Sequence, residues 1–170
     1  MQTAKEYCFN KRSTVFDVII QILLSTLICY GFIKLADHLL IALLISSVPG
    51  YLLYLQYNVT KVVRQYNKLD ADKQIRISED RLILTMVQGN VTTLVNSNEI
   101  ERVELYESKD LDKFSRYNYI IIYTSNNKRI LITSFTIPLL VYDKPLEYFL
   151  RKKKRTYFKK SFNLIDTGKL

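Results

Sequence analysis

Two long apolar runs dominate what this chain can fold into. "VFDVIIQILLSTLICYGFI", residues 15–33, carries one ionisable group, Asp17, near its start. After the break "KLADH" comes "LLIALLISSVPGYLLYL", residues 39–55, with no charge at all. As helices they would reach about 28 and 25 Å, close to the ~30 Å of a bilayer's hydrocarbon layer. Each run is apolar all round, whereas a core helix of a water-facing domain is apolar along one stripe. "CYGFIKLADH" offers no small-residue cleavage pattern, which argues against a removed signal peptide. The expectation is a two-helix transmembrane hairpin at residues 15–57, behind a cytoplasmic segment at 1–14.

Charge supports an orientation for such a hairpin. Lys5, Lys11 and Arg12 precede the first run, Lys61, Arg64 and Lys68 follow the second, and only Lys34 lies between. Basic residues are retained on the cytoplasmic side, so both termini are expected there, in a multi-pass protein of a bacterial cytoplasmic (inner) membrane. Asp17, Gln21 and Ser25 recur every four residues and would share one helix face, as packing hydrogen bonds or an ion path. Pro49, followed by Gly50, predicts a kink in the second helix.

The net charge of +9 is concentrated at the end of the chain. Residues 73–150 hold ten basic and ten acidic groups, whereas residues 151–170 hold eight basic groups and Asp166, a balance of +7. A neutral body with a basic end lacks the domain-wide positive surface of a nucleic-acid fold. Chemistry is equally sparse. The single histidine, His38, has no converging ligands in the sequence, and Cys8 and Cys29 would lie on opposite sides of the hairpin. No nucleophile–base set or glycine-rich phosphate loop is present, so no enzyme, no cofactor, no metal and no small-molecule substrate are expected.

Beyond a linker at 58–72 the sequence reads as strands. "KQIRIS" alternates Ile75 and Ile77 with Gln74 and Arg76, and "RLILTMV" and "VTTLVN" flank the hairpin signal "QGN". "NEIERVELYES" places Val103 and Leu105 inward and Glu104 outward. "YIIIYT" and "RILITSF" are joined by the asparagine turn "SNNK". These make six strands of an antiparallel meander whose apolar face needs a cover. "DKPLEYFLRKKKRTYFKK" is expected to supply it as a helix, with Asp143 as N-cap, Pro145 in the first turn, and Leu146, Phe149, Leu150 and Tyr157 on one face.

This order of elements, with "ISEDRLIL", "NSNEIERVEL", "YIIIYTSNNKRILITS" and a closing "PLEYFL", resembles the bacterial pleckstrin-homology-like (PH-like) family over residues 13–155. Members often carry N-terminal membrane helices. The resemblance implies an α+β membrane protein: a bent antiparallel β-sandwich or barrel of seven strands at 73–158, capped by a C-terminal helix. A seventh strand would lie in "VTTLVN-SNEI" or "KDLDKFSRYN". Glu79 and Asp80 in the "SEDR" turn oppose phosphate approach at the first strand pair, despite Lys73, Arg76 and Arg81 nearby.

The function that follows is that of a non-enzymatic adaptor or regulatory domain binding another membrane or cytoplasmic protein, or itself. Phe114, Arg116 and Tyr117 are the candidate partner contacts. Arg151, Lys152, Lys153, Lys154, Arg155, Tyr157, Phe158, Lys159 and Lys160, running into a basic tail at 159–170, are the candidate contacts with anionic lipid of the bilayer. The alternative is a membrane accessory or immunity-type protein in which the hairpin itself acts.

Overall fold

A computed structural model describes residues 4–34, 39–108, 117–138 and 143–169, with the side chains of 17, 32–34, 39–46, 48 and 169 outside that description. The chain divides into two compact units: residues 13–63, and a second unit that joins residues 1–12 to residues 64–170. The first unit is thus inserted in sequence between a short N-terminal stretch and the rest of the second.

The inserted unit is helical. Helix α1 is Val15–Lys34, and helix α2, Leu39–Leu69, starts in this unit and runs 31 residues. Helix α1 exposes its apolar side chains, among them Phe16, Leu23 and Leu27. Ser25 is buried, and both its Oγ and the Oε1 of Gln21 lack a hydrogen-bond partner. Asp17 lies outside the described side chains. Pro49 is buried inside α2.

The expected transmembrane hairpin is corrected here. Among the described residues, no helix is long and apolar enough to cross a membrane. Polar groups recur along α1 (Gln21, Ser25, and Thr26, whose Oγ1 donates to the Ile22 carbonyl at 2.8 Å). Helix α2 runs on from its apolar start into the polar sequence "NVTKVVRQYNKL". The multi-pass inner-membrane placement and the membrane fold class fall with the hairpin.

The second unit is an α+β sandwich of two four-stranded sheets. Lys5–Cys8 (β1), Lys73–Ile77 (β2), Ile83–Gln88 (β3) and Val91–Asn96 (β4) pair antiparallel in that order. Ile100–Ser108 (β5), Tyr119–Thr124 (β6), Arg129–Thr133 (β7) and Lys154–Lys160 (β8) form the other, ordered β7-β6-β5-β8, with β8 parallel to β5. Strands β2 to β7 match the sequence expectation. At the expected turns, Gly89 takes φ +56° and Asn127 φ +58°, a left-handed conformation that glycine and asparagine adopt at low cost.

Between the sheets, Ile75, Ile77, Leu84 and Val95 meet Val103, Leu105 and the alternate isoleucines of β6 and β7 in one hydrophobic core. Strand β6 is not alternating but buried along nearly its whole length. Its second face is covered as well. Tyr66, near the end of α2, meets Tyr119 and Phe135 edge-on, with centroids 6.3 and 5.3 Å apart. Its hydroxyl donates to the Asn163 carbonyl at 3.0 Å, and the Asn163 amide donates to the Tyr117 carbonyl at 2.8 Å. The C-terminal stretch thereby joins the end of α2 in a second layer over this sheet.

Helix α3, Lys144–Phe149, is capped as the sequence predicts: the Asp143 carboxylate accepts from the Leu146 amide at 3.0 Å, with Pro145 in the first turn. Leu146 and Phe149 are buried against the core, each contributing about 1.5–3 kcal/mol. Asp143 also accepts from the Tyr7 hydroxyl at 2.5 Å, which ties β1 to the helix.

Three further expectations are corrected. The C-terminal helix ends at Phe149, and the basic run continues as a turn and then as β8. In a helix Arg151 would stand beside Lys154 and Arg155, and Lys152 beside Arg155, like charges three or four residues apart, whereas strand alternation sends Lys154 and Arg155 to opposite faces, and Thr156, Tyr157 and Phe158 favour a strand. The strands number eight among the described residues, because β1 and β8 add to the six expected; of the places where a seventh was expected, residues 97–99 form a 3-10 turn and residues 109–116 lie outside the described residues. The N-terminal segment is not a separate domain: β1 is a strand of the sandwich.

Candidate functional site

The turn after α3 shapes the most distinctive surface of the sandwich unit. The Arg151 amide donates to the Tyr148 carbonyl at 3.1 Å, and Lys152 takes φ +66°. That left-handed residue reverses the chain so that β8 returns beside the helix. Its second residue, Arg155, donates through Nη2 to the Leu150 carbonyl at 3.1 Å and the Glu147 carbonyl at 3.4 Å. A cleft of about 360 Å³ opens there, lined by Lys144, Glu147, Tyr148, Arg151 and Arg155.

Tyr148 stands 48% exposed in this cleft with two guanidinium groups against its ring. Arg81 lies 4.3 Å from the centroid and Arg151 5.8 Å. Such cation–π contacts contribute about 0.5–1 kcal/mol at exposed sites. Arg81 reaches the ring from the "SEDR" turn, where it takes φ +58°. In that turn the Asp80 carboxylate accepts from the Ser78 hydroxyl and the Leu82 amide, which hold its pKa below the ordinary carboxylate value. Among the described residues, no ion pair joins Glu147 to the cations of the cleft.

Strand β8 continues the basic surface along the edge of its sheet. Register with β5 places Lys154, Phe158 and Lys160 on the face of Arg102 and Tyr106, and Arg155, Tyr157 and Lys159 on the face of Val103 and Leu105. Phe158 is half-buried and stacks on Tyr106 at 4.7 Å, which in turn stacks on Tyr119 at 4.3 Å. Lys160 lies 5.5 Å over the Tyr106 ring. Tyr157, 54% exposed, projects from the opposite face. The aromatic pair expected to act together is therefore split, and Phe158 is a packing residue.

Other expected contacts divide similarly. Phe114 and Arg116 lie outside the described residues. Tyr117 packs against Tyr66 and Phe135 at 6.5 and 6.1 Å, and its carbonyl accepts from Asn163, so it serves the sandwich. Lys73 is buried and pairs with Asp70 at 2.6 Å, which removes it from any surface role. The cleft takes Arg151 and Arg155 from the expected basic run but adds Lys144, Glu147 and Tyr148, with Arg81 packed on the Tyr148 ring. The available signal was the set Lys144, Tyr148 and Arg151, spaced four and then three residues apart.

On the aromatic face, Glu104 accepts from the hydroxyls of Tyr106 and Tyr123, both at 3.0 Å. Burial, and then this hydrogen bonding, raises both pKa values, and burial first of all raises those of Tyr7, Tyr66 and Tyr119. A raised folded-state pKa means the neutral phenol is favoured by folding. Stability should therefore be unaffected by these groups below pH ~10 and fall above it, as the unfolded chain's tyrosines ionise first. Thermal unfolding followed from pH 8 upward with tyrosinate absorbance should show ionisation and unfolding together. Ordinary phenol titration of these side chains in a still-folded chain would contradict it.

Among the described residues, no group of three or more His, Cys, Asp or Glu side chains could hold a metal. No protein-family model, curated protein or solved structure matches the chain.

Proposed function

We propose that the chain is a non-catalytic binding module of PH-like type, whose basic edge strand β8 engages an acidic extended segment of another protein. The observation that carries this reading is the position of β8 at the end of the order β7-β6-β5-β8, with its cations projecting from both faces. A sheet edge offers a row of backbone donors and acceptors to an added strand, and side chains flanking it select the partner's sequence. Lysines at an edge also discourage self-pairing, and an acidic strand is the partner for which that barrier becomes an attraction. A flat anionic surface fits less well, since β8 sends Lys154 and Lys160 to one face and Arg155 and Lys159 to the other.

The PH-like reading rests on the consecutive meanders β2-β3-β4 and β5-β6-β7 followed by α3. Strand β1 and strand β8 are additions to that plan.

The test uses the full chain and a fluorescent peptide alternating Glu and Thr, with a Lys–Thr peptide and anionic-lipid vesicles as comparisons. The acidic peptide should bind, and combining Lys154→Gln, Lys159→Gln and Lys160→Gln should weaken it about tenfold, from roughly 0.5 kcal/mol per exposed pair. Equal binding of the Lys–Thr peptide, or binding to vesicles alone, would refute the edge-strand reading.

A further inference from the structure

The cleft between α3 and β8 differs from the edge strand in that its groups converge on one space. Lys144, Arg151 and Arg155 contribute +3 and Glu147 contributes −1, leaving +2 at the lining of a single opening. The guanidinium of Arg155 is held against the helix by Nη2 alone. Arg151 is steadied at the face of Tyr148, whose ring also bears Arg81. Two arginines with fixed approach and one lysine are the donor set that suits a tetrahedral oxyanion: the arginine fork matches its paired oxygens, and the ammonium supplies a point charge.

From this we infer that the cleft binds a phosphate group, with Lys144, Arg151 and Arg155 as its ligands. A phosphomonoester carries about −1.5 to −2 at neutral pH and so balances the cleft's +2, whereas a lone carboxylate neutralises half of it. The exposed Tyr148 ring supplies an apolar wall for whatever carries the phosphate. Glu147 is the one opposing charge, and it sets an upper limit on affinity. The site does not depend on strand addition at β8, since its residues other than Arg155 precede that strand. Lys73 of the first strand pair takes no part in it, being buried.

Calorimetric titration of the full chain separates the possibilities. Glycerol phosphate is the soluble probe, vesicles of phosphatidylcholine with phosphatidic acid are the lipid probe, and succinate is a dianion without phosphate geometry. Saturable binding of either phosphate probe, at least tenfold tighter than succinate, is expected; which probe binds tells a free phosphate from a lipid head group. Lys144→Gln with Arg151→Gln should weaken binding tenfold or more, and Glu147→Gln should tighten it about threefold. Lys154→Gln with Lys159→Gln should leave it unchanged, even though that pair should weaken acidic-peptide binding about fivefold. No saturable binding of either probe, succinate binding as tightly, or an unmoved affinity in the Lys144/Arg151 or Glu147 variants overturns the inference.

Discussion

Replacing Asp70 with alanine should destabilise the sandwich unit by about 3–5 kcal/mol, because it leaves a buried lysine without its counter-ion. Asp70 is 0% exposed and Lys73 3%, and the two groups meet at 2.6 Å. The other carboxylate oxygen accepts from the hydroxyls of Thr133 at 2.6 Å and Thr136 at 2.5 Å, and the Lys73 ammonium also donates to the Leu131 carbonyl at 3.2 Å. The pair thus bolts the turn between α2 and β2 to the end of β7. An acid at a helix C-terminus opposes the helix dipole, and here the lysine three residues on offsets it. Asp70→Ala strands the ammonium and two hydroxyls together. Lys73→Met removes the cation but leaves the carboxylate its threonine donors. Urea unfolding of the full chain, followed by near-ultraviolet circular dichroism, should show Asp70→Ala with Lys73→Met to be far less damaging than the sum of the single changes. A loss under 1 kcal/mol for Asp70→Ala alone would show that the network is not structural.

Local sequence pattern reached some parts of this fold and not others, for physical reasons. Strands β2 to β5 were legible because apolar residues alternate along them, β6 and β7 because they are short β-branched apolar runs, and the β3–β4 and β6–β7 turns because they carry Gly89 and Asn127, which take the left-handed conformation. The cap at Asp143 was legible because it acts within three residues. Strand β1 was not: "KEYC" is four residues long, and its partner for Tyr7 is Ile75, across the whole helical insertion. Strand β8 was missed because its parallel pairing with β5 is set some fifty residues away, while its lysines read locally as a solvated helix. The continuous "YIIIYT" carries the signal of burial on two faces, which calls for a cover on each. The apolar runs at 15–33 and 39–55 read as bilayer spans by length and composition, whereas residues 58–69, expected as a linker, form the amphipathic end of α2 that supplies Tyr66 to the sandwich. Of the site, Arg151 and Arg155 stood out by charge alone. Arg81 could not, since only the tertiary fold brings its turn to Tyr148.

Tyr66→Ala should be the comparable loss on the aromatic side, about 3–5 kcal/mol, the range for emptying a buried aromatic site. The ring is 0% exposed and meets Tyr117, Tyr119 and Phe135 edge-on, at 6.5, 6.3 and 5.3 Å. Such pairs add about 0.5–1.5 kcal/mol beyond area burial. The hydroxyl contributes separately, through its bond to the Asn163 carbonyl at 3.0 Å, with the Tyr117 carbonyl at 3.3 Å. Tyr66→Phe removes that hydroxyl and leaves the ring, so it should cost only about 1–2 kcal/mol, the value of an unmatched buried carbonyl partner. The same substitution loosens the C-terminal stretch that Asn163 and the Gln65–Ile165 hydrogen bonds hold against the sheet. Amide hydrogen exchange should therefore quicken at residues 161–166 in Tyr66→Phe while β2 and β3 stay protected. Uniform quickening across both sheets would mean that the second layer and the inner core unfold as one, and that Tyr66 supports the entire unit instead of one covering layer.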